Sequence, residues 1–301
     1  MPAYNAENFI GDAISSILEQ EHLDWELLIL NDASSDNTRS VIESFDDARI
    51  KYFRNEKNQG YLKSCNRIFE HAKGDFITFL DADDTCTPNR LKVCLEHFES
   101  DSELEFLTAN HFRFDERHKI PKSTSVDYHR YASDPKYNPT ICCATTFVRT
   151  ELAKKAGGYD HFFDGLGGED YHWLYKLSRL GKGKHITEPL YSYRQHPLQL
   201  HIQNTNPLKF FVRDILEQIR TAEQSGTDLL TNGNSLLQEW QNKLDSEPAL
   251  TCLRQAAEAI NRKSSSNFWT FWGKSISSKP HSSGKWKQAL YLLYSYAARI
   301  A

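Results

Sequence analysis

Apolar strands alternate with amphipathic helices through the first third of the chain, and this alternation restricts the fold most strongly. Residues 25–31 form a nearly continuous apolar run, typical of a strand buried on both faces, and Ile50–Arg54 and residues 76–80 are the next predicted strands. Helices are predicted near residues 9–18, 41–45 and 61–72. Strands separated by helices predict a largely parallel α/β sheet, in which ligands bind at the carboxyl ends of the strands.

The later segments predict a single α/β domain followed by helices. Thr87 and Pro88 fit the N-cap and first position of another helix, Leu104–Phe114 fits a long strand, and residues 115–139 fit a loop. We expect the α/β domain over residues 1–206, with a nucleotide-binding half (1–108) and an acceptor half (109–206), and a helical region over residues 207–301. The chain opens at a strand-to-helix turn, so we expect a first strand, and the natural start, upstream of Met1.

Composition narrows the classes of function. Hydrophobic residues make up 39% of the 301 residues and charged residues 25%, as in an ordinary globular protein. With 36 basic and 40 acidic side chains, the net charge of −4 argues against nucleic acid as a partner. No apolar run reaches the roughly 18–20 residues of a membrane span, and no signal peptide is recognisable. Six cysteines without a C-x-x-C pair fit reduced thiols. We therefore expect a cytoplasmic protein, soluble or peripheral at the inner face of the membrane.

Three carboxylates follow the predicted strand at residues 76–80, in the motif Asp81-Ala82-Asp83-Asp84. Carboxylates this close repel one another, and a divalent cation such as Mg²⁺ or Mn²⁺ would relieve the repulsion and bind a diphosphate. Two enzymatic interpretations stay open from these residues. One is the D-x-D motif of nucleotide-sugar transferases; the other is a haloacid-dehalogenase-like phosphatase with Asp81 as nucleophile and Asp83 as acid/base. The phosphatase expects its motif after the first strand and paired aspartates after a later strand, and neither expectation is met.

Six motifs in register favour the transferase interpretation. They are MPAYNAE at residues 1–7, LILNDASSDNT at 28–38, NQG at 58–60, GDFITFLDADD at 74–84, GED at 168–170 and YRQH at 193–196. In this order they resemble the inverting family 2 glycosyltransferases over about residues 1–201. The resemblance implies a GT-A fold: a single mixed α/β sheet flanked by helices, here with a helical C-terminal extension. It also implies metal-assisted direct displacement from a nucleoside diphosphate sugar.

The resemblance assigns residues to the donor and the metal. It implies a metal site at Asp83 and His196 and the ribose near Asp81. Asp32 would accept the imino N–H of the base, which uracil, thymine and guanine have and neutral cytosine lacks, so a cytidine donor is disfavoured. A UDP-sugar is the expected donor. The implied nucleotide-sugar contacts are Pro2, Ala3, Tyr4, Asp32, Gly60, Asn66, Asp81, Ala82 and Glu169. For Asp32 and Asp36, turn and helix capping is the alternative, and it is preferred for Asp36.

The resemblance also implies that Asp170 is the catalytic base that deprotonates an acceptor hydroxyl. The alternative is that Glu169 and Asp170 merely stabilise the dipole of the helix they open. Trp173 fits either an acceptor-stacking platform or the core. One position departs from the family, because Cys65 stands where an arginine commonly precedes the asparagine. Lys63 or Arg67 would then supply positive charge toward the diphosphate.

The C-terminal third carries no recognisable motif. Ile215, Ile219 and residues 253–260 fit helices with one apolar face, and residues 268–272 and 286–300 combine aromatic with basic side chains. The basic side chains near these aromatic segments are Lys274, Lys279, Lys285, Lys287 and Arg299. Such helices suit a bilayer interface, although packing onto the catalytic domain or onto a second copy is the favoured interpretation. The expected acceptor is a saccharide or a lipid-linked saccharide in polysaccharide or glycoconjugate synthesis. A non-catalytic nucleotide-sugar-binding protein remains the third hypothesis.

Overall fold

The structure is a computed structural model that describes residues 1–115, 117–204, 206–231 and 233–246. The chain forms two compact units, one of Met1–Asp164 with Gly168–His196, the other of Gly165–Gly167 with the described residues from Pro197 onward. The strands, all in the first unit, are β1 (Pro2–Ala3), β2 (Leu27–Asn31), β3 (Ile50–Arg54), β4 (Phe76–Thr78), β5 (Thr85–Cys86), β6 (Leu104–Phe114), β7 (Lys119–Lys122), β8 (Phe147–Arg149) and β9 (Lys182–Arg194). Its helices are α1 (Ile10–Leu18), α2 (Thr38–Glu43), α3 (Tyr61–His71), α4 (Arg90–Ser100), α5 (Tyr128–Ser133), α6 (Thr150–Ala156) and α7 (Glu169–Leu180).

The N-terminal strands form the parallel part of the fold. β1 and β3 flank β2, and every residue of β2 is buried, as its apolar run predicts. The apolar face of α1 packs in the same core, where Ile10, Ile14 and Ile29 are fully buried. Pro2 and Ala3 pair with Leu30 and Asn31, so a two-residue strand lies beside β2, whereas the sequence analysis expected the first strand upstream of Met1.

The remaining strands form a mixed sheet in the order β4-β8-β6-β9-β5, with β7 paired to β6. β6 and β9 run parallel, whereas β4–β8, β6–β8, β6–β7 and β5–β9 are antiparallel. The returning strand β9 therefore brings the 193–196 motif back toward the residues that precede β5. Mixed strands flanked by helices confirm the predicted fold class.

Two local predictions are wrong. Asn89, not Thr87, precedes the first residue of α4, and the Thr87 hydroxyl donates to Leu190 O instead of capping the helix. The segment predicted as a loop at 115–139 contains β7 and α5. Tyr128 and Tyr131 of α5 are buried in the second core of the unit, which gives this polar segment enough apolar contact to fold.

The second unit is helical where it is described. It contains α8 (Leu200–Gln203), α9 (Val212–Gln224) and α10 (Gly233–Ser246). α9 buries Ile215 and Ile219, as its spacing predicts. The predicted helices at 253–260, 268–272 and 286–300 lie outside the described residues. Within the described ranges, no helix has both the length and the apolar character that crossing a bilayer requires.

Candidate active site

The end of β2 is tied to the loop before α3 by a single carboxylate. Asp32 is 3% exposed, and its Oδ1 accepts hydrogen bonds from Asn55 Nδ2 at 2.6 Å and from the Gln59 amide at 2.9 Å. Its Oδ2 accepts the Gly60 amide at 2.9 Å. Gly60 has a φ of +91°, a backbone conformation that residues with a side chain adopt only at an energetic cost. Asp32 thus fixes the backbone that leads into α3. The alternative role, capping of the turn next to Asp32 itself, would have involved only neighbouring residues.

The first residues of the chain lie beside Asp32. The Asp32 amide donates to Ala3 O at 2.8 Å, and Tyr4 projects with half of its surface exposed. Pro2 and Ala3 are therefore placed against the end of β2, and Tyr4 offers an open aromatic face next to it. Asp36 accepts the amide of Thr38 at 3.0 Å and the amide of Glu7 at 3.1 Å, which confirms its predicted capping role.

Asp81 lies partly buried near the start of α3. The Tyr61 hydroxyl donates to Asp81 Oδ1 at 3.0 Å. Burial, reinforced by the charge of Asp83, raises the pKa of Asp81 to about 6. Ala82 is buried behind it. Cys65, which stands at the position of the family's arginine, is also buried, and burial with the nearby Asp81 carboxylate raises the pKa of its thiol. A neutral thiol in this position brings none of the positive charge that the family's arginine is expected to direct toward the diphosphate.

Asp83 and His196 meet across the site. His196 Nε2 lies 2.9 Å from Asp83 Oδ2, and the ring of Phe9 packs on the imidazole with 4.3 Å between ring centroids. Two ligands bound at right angles to one cation with bonds of about 2.1 Å are about 3 Å apart, so this pair fits adjacent positions around Mg²⁺ or Mn²⁺. No group of three or more His, Cys, Asp or Glu side chains among the described residues has metal-binding geometry.

Asp84, which the sequence analysis did not single out, positions this loop. It accepts the Tyr191 hydroxyl and the Arg194 amide, each at 2.7 Å. The Arg194 guanidinium donates to Asp83 O through Nε and to Asp12 Oδ2 through Nη2, again at 2.7 Å. The tyrosine and arginine on β9 therefore hold the acidic loop against the strand. A third carboxylate directly after D-x-D was the signal for this role.

The carboxyl pair at the start of α7 is partly buried, and the pKa of each carboxyl is raised. Burial raises the pKa of Asp170, whose Oδ1 accepts the Tyr171 amide at 2.7 Å. Burial and the charge of Asp170 raise the pKa of Glu169 to about 8, and Glu169 Oε2 has no hydrogen-bond partner among the described residues. Asp170 also raises the pKa of Asp81, and Asp81 that of Glu169. The carboxylates of the 81–84 and 169–170 motifs thus share one electrostatic environment.

Two other candidates have structural surroundings. Trp173 is 3% exposed and donates to Gly157 O at 2.6 Å, so it belongs to the core and offers no face to an acceptor. Asn66 exchanges two hydrogen bonds with the backbone of Tyr159, each at 2.8 Å. Gly158 allows this contact, because a Cβ there would lie 2.3 Å from Asn66 Oδ1. The Asn66 amide is thus engaged with the chain itself.

The fold and this acidic site define an α/β protein of the nucleotide-binding type, with its polar groups at the strand ends. Residues 1–157 match the family described as glycosyl transferase family 2, and the chain belongs to that family. This membership leaves the phosphatase interpretation without support.

Curated relatives are similar to part of the chain. The UDP-Glc:alpha-D-GlcNAc-diphosphoundecaprenol beta-1,3-glucosyltransferase WfgD of Escherichia coli is 46% identical over 93 residues, 31% of this chain and 37% of that protein. A putative teichuronic acid biosynthesis glycosyltransferase, TuaG of Bacillus subtilis, is 37% identical over 32% of this chain and 38% of its own length. These matches span less than two fifths of each relative.

A solved structure matches more of the chain at lower identity. TarS of S. aureus, residues 1–349 in complex with UDP-GlcNAc, covers 93% of this chain and 91% of its own, with a TM-score of 0.58 and 17% identity. At this identity the likeness concerns the fold, which is the GT-A fold expected from the motifs.

Proposed function

We propose that the chain is an inverting glycosyltransferase that moves a sugar from a UDP-sugar to a hydroxyl of a saccharide acceptor. The observation that carries the proposal is the meeting of the 81–84, 169–170 and 193–196 motifs in one partly buried acidic site. Relatives whose names specify UDP-Glc or teichuronic acid biosynthesis support a UDP-sugar donor and a role in polysaccharide or glycoconjugate synthesis. The TarS structure with UDP-GlcNAc supports the same nucleotide.

The nucleoside would bind at the ends of β1 and β2. Tyr4 offers an exposed ring for stacking on the base, with Pro2 and Ala3 as the backbone beside it. Asp32 Oδ2 accepts one described hydrogen bond and so retains a lone pair for the imino N–H of uracil. The ribose would lie near Asp81 and Ala82, close to Gly60 at the start of α3.

The diphosphate would bind at Asp83 and His196 through a divalent cation. Their 2.9 Å spacing suits adjacent ligands of Mg²⁺ or Mn²⁺, and the phosphates and water would complete the coordination shell. When bound, the cation neutralises charge that develops on the leaving diphosphate. Arg194 holds the Asp83 backbone in place, so the side chain is oriented before the ligand arrives.

Asp170 would act as the general base. Its carboxylate would take the proton of the acceptor hydroxyl while that oxygen bonds to the anomeric carbon. The bond from this carbon to the diphosphate oxygen breaks on the opposite face, so the configuration inverts and UDP leaves. Burial raises the pKa of Asp170, which makes the carboxylate a stronger base than an exposed one. Glu169, protonated at neutral pH, would donate a hydrogen bond to a sugar hydroxyl.

The surroundings of the reaction belong to the same proposal. A saccharide or lipid-linked acceptor would be bound by the acceptor half, residues 109–206. An enzyme that glycosylates such acceptors would be cytoplasmic and would contact the inner face of the membrane through residues 207–301. The same residues could instead hold two copies of the chain together.

Calorimetric titration of UDP tests the donor site directly. We expect binding with Mn²⁺ or Mg²⁺, at least tenfold weaker binding in EDTA, and weaker binding of GDP and dTDP. Metal-independent binding would remove Asp83 and His196 from the proposal, and a preference for GDP or dTDP would change the donor. No binding of any nucleotide would favour a non-catalytic protein.

A further inference from the structure

A basic cavity lies outside the acidic site, between the loop that follows β3 and the outward face of α3. Its volume is about 380 Å³, and it is lined by Asn55, Glu56, Lys57, Gln59, Lys63 and Arg67. Neither the aspartates of the 81–84 motif nor Asp170 belongs to this lining. The cavity is therefore a separate feature from the proposed diphosphate position at Asp83.

The charges of the cavity are unbalanced. Three cationic side chains face a single carboxylate, that of Glu56. Lys63 and Arg67 are one helical turn apart on α3 and so share one face. No ion pair within the described ranges involves Lys57, Lys63 or Arg67. Three cations beside one carboxylate repel one another, and a bound anion would reduce that repulsion.

The floor of the cavity is already ordered. Arg67 Nη1 donates to Asn55 Oδ1, and Asn55 Nδ2 is held by Asp32 at 2.6 Å. Because Asn55 is buried and fixed on both sides, the guanidinium keeps its position while its other N–H groups remain for a ligand. The Gln59 backbone is fixed by the same Asp32 carboxylate.

We propose that this cavity binds a phosphate or diphosphate group of a small ligand, at a site distinct from that of the sugar donor. The planar guanidinium of Arg67 suits paired phosphate oxygens, and Lys57 and Lys63 add point charges from two sides. A concave site of this volume fits a small phosphorylated molecule. The inference does not depend on the proposed glycosyl transfer, since none of the residues that line the cavity is a proposed donor contact. Asp32 only orders the floor of the cavity, and Lys63 and Arg67, which the sequence analysis expected to face the donor diphosphate, line this cavity.

Titration of inorganic pyrophosphate into the full chain in EDTA tests the proposal. We expect binding by the wild type, at least tenfold weaker binding by the double variant Lys63→Ala/Arg67→Ala, and weaker binding by Lys57→Ala. The matched control is Lys73→Ala, which removes an exposed lysine just beyond α3 and should bind as the wild type does. Thermal unfolding of each variant verifies that it folds.

Three results would overturn the proposal. They are the absence of binding by the wild type, equal binding by the double variant, and loss of binding in Asp83→Asn, which would place pyrophosphate at the donor site. UDP binding with Mn²⁺ is measured separately, so failure here leaves the transferase proposal intact.

A lipid headgroup could offer the same phosphate chemistry, and vesicles distinguish this source. Sedimentation with phosphatidylglycerol vesicles should give the same bound fraction for the wild type and for Lys63→Ala/Arg67→Ala. If the double variant bound fewer vesicles but the same amount of pyrophosphate, the basic side chains would contact a membrane. That result would contradict a pocket for a small ligand.

Discussion

Burial raises the pKa of both carboxyls at the start of α7, but further groups act on each of them differently. Glu169 has a pKa of about 8 and is neutral near pH 7, whereas the pKa of Asp170 is raised from 3.8 by burial and lowered by the Tyr171 amide and the Cys143 thiol. Pairs of carboxyls whose surroundings give them different pKa values recur in active sites. In the proposed mechanism Glu169 is the proton donor and Asp170 is the base.

Substitution of the proposed base should abolish turnover and spare donor binding. For Asp170→Asn we expect transfer to fall by about 10²–10⁴-fold, the usual contribution of a general base. UDP binding with Mn²⁺ should stay within about threefold of the wild type, because Asp170 does not belong to the proposed nucleotide contacts. Transfer assays and calorimetry measure the two effects. Asp101→Asn, at the end of α4, is the control, and a variant at Asp170 that retains a tenth of the activity would contradict the assignment.

Glu169→Gln should copy the protonated side chain. Because the pKa of Glu169 is about 8 in the fold and 4.5 as a free side chain, its stabilising contribution is full below pH 4.5 and is lost as the pH rises through about 8. The wild type should therefore lose thermal stability relative to Glu169→Gln between pH 5 and 8. Unfolding midpoints without metal measure this difference, with the exposed Glu103→Gln as control. A difference that does not change with pH would refute the raised pKa.

The sequence motifs predicted which residues belong to the site better than they predicted the hydrogen bonds of those residues. The pairing of Asp83 with His196 was expected from the family resemblance, and the two side chains lie in contact. The three bonds of Asp32 and the clamp between Asn66 and Tyr159 were not foreseen. Both depend on loop geometry and on partners distant in sequence, such as Tyr159, which periodicity does not encode.

At the scale of secondary structure, a close backbone approach holds α3 to the segment before α7. Gly158 permits it, since a Cβ there would meet the Asn66 side chain at 2.3 Å. We expect Gly158→Ala to destabilise the fold by about 1–3 kcal/mol, the usual cost of overpacking. Gly11→Ala is the matched control, because its Cβ would contact Val41 at an ordinary 3.6 Å within α1. Gly11 is the second residue of α1, so alanine there should stabilise by at most the helix-interior value of about 0.5–1 kcal/mol.

Urea unfolding measures both glycine variants. The interpretation of Asn66 as a structural clamp requires opposite signs for the two. Equal effects would mean that Asn66 moves aside without cost and remains available for a ligand.

Elements with strong periodicity were predicted closely, and those stabilised by tertiary contacts were not. β3 and β6 begin and end where the apolar pattern predicts. α5 was missed because few of its residues are apolar, and its stability comes from two tyrosines that reach the core. Tyr128 also shares a 2.5 Å hydrogen bond with Thr108 on β6, a contact that local sequence does not reveal.

At the scale of the whole molecule, the family match and the motifs concentrate in the first unit, and the site is formed by segments far apart in the sequence. β2, the loop after β4, the start of α7 and the end of β9 each contribute one part. Because these segments meet only in the folded chain, a ligand that bridges them binds the folded state alone. Such a ligand must stabilise the fold as a whole, by an amount that its affinity sets.

Thermal unfolding with ligands should therefore report the complete donor site. At a UDP concentration of a hundred times Kd, with saturating Mn²⁺, we expect about 2.7 kcal/mol of added stability. EDTA should remove most of this gain, because in the proposed site Asp83 and His196 would contact the diphosphate only through the cation. Asp83→Asn and His196→Ala should lose the part that depends on Mn²⁺, while Asp101→Asn keeps it. A gain that survives in both site variants would show that the diphosphate is held elsewhere, so the proposed metal site would have to be abandoned while the nucleoside pocket at Asp32 could stand.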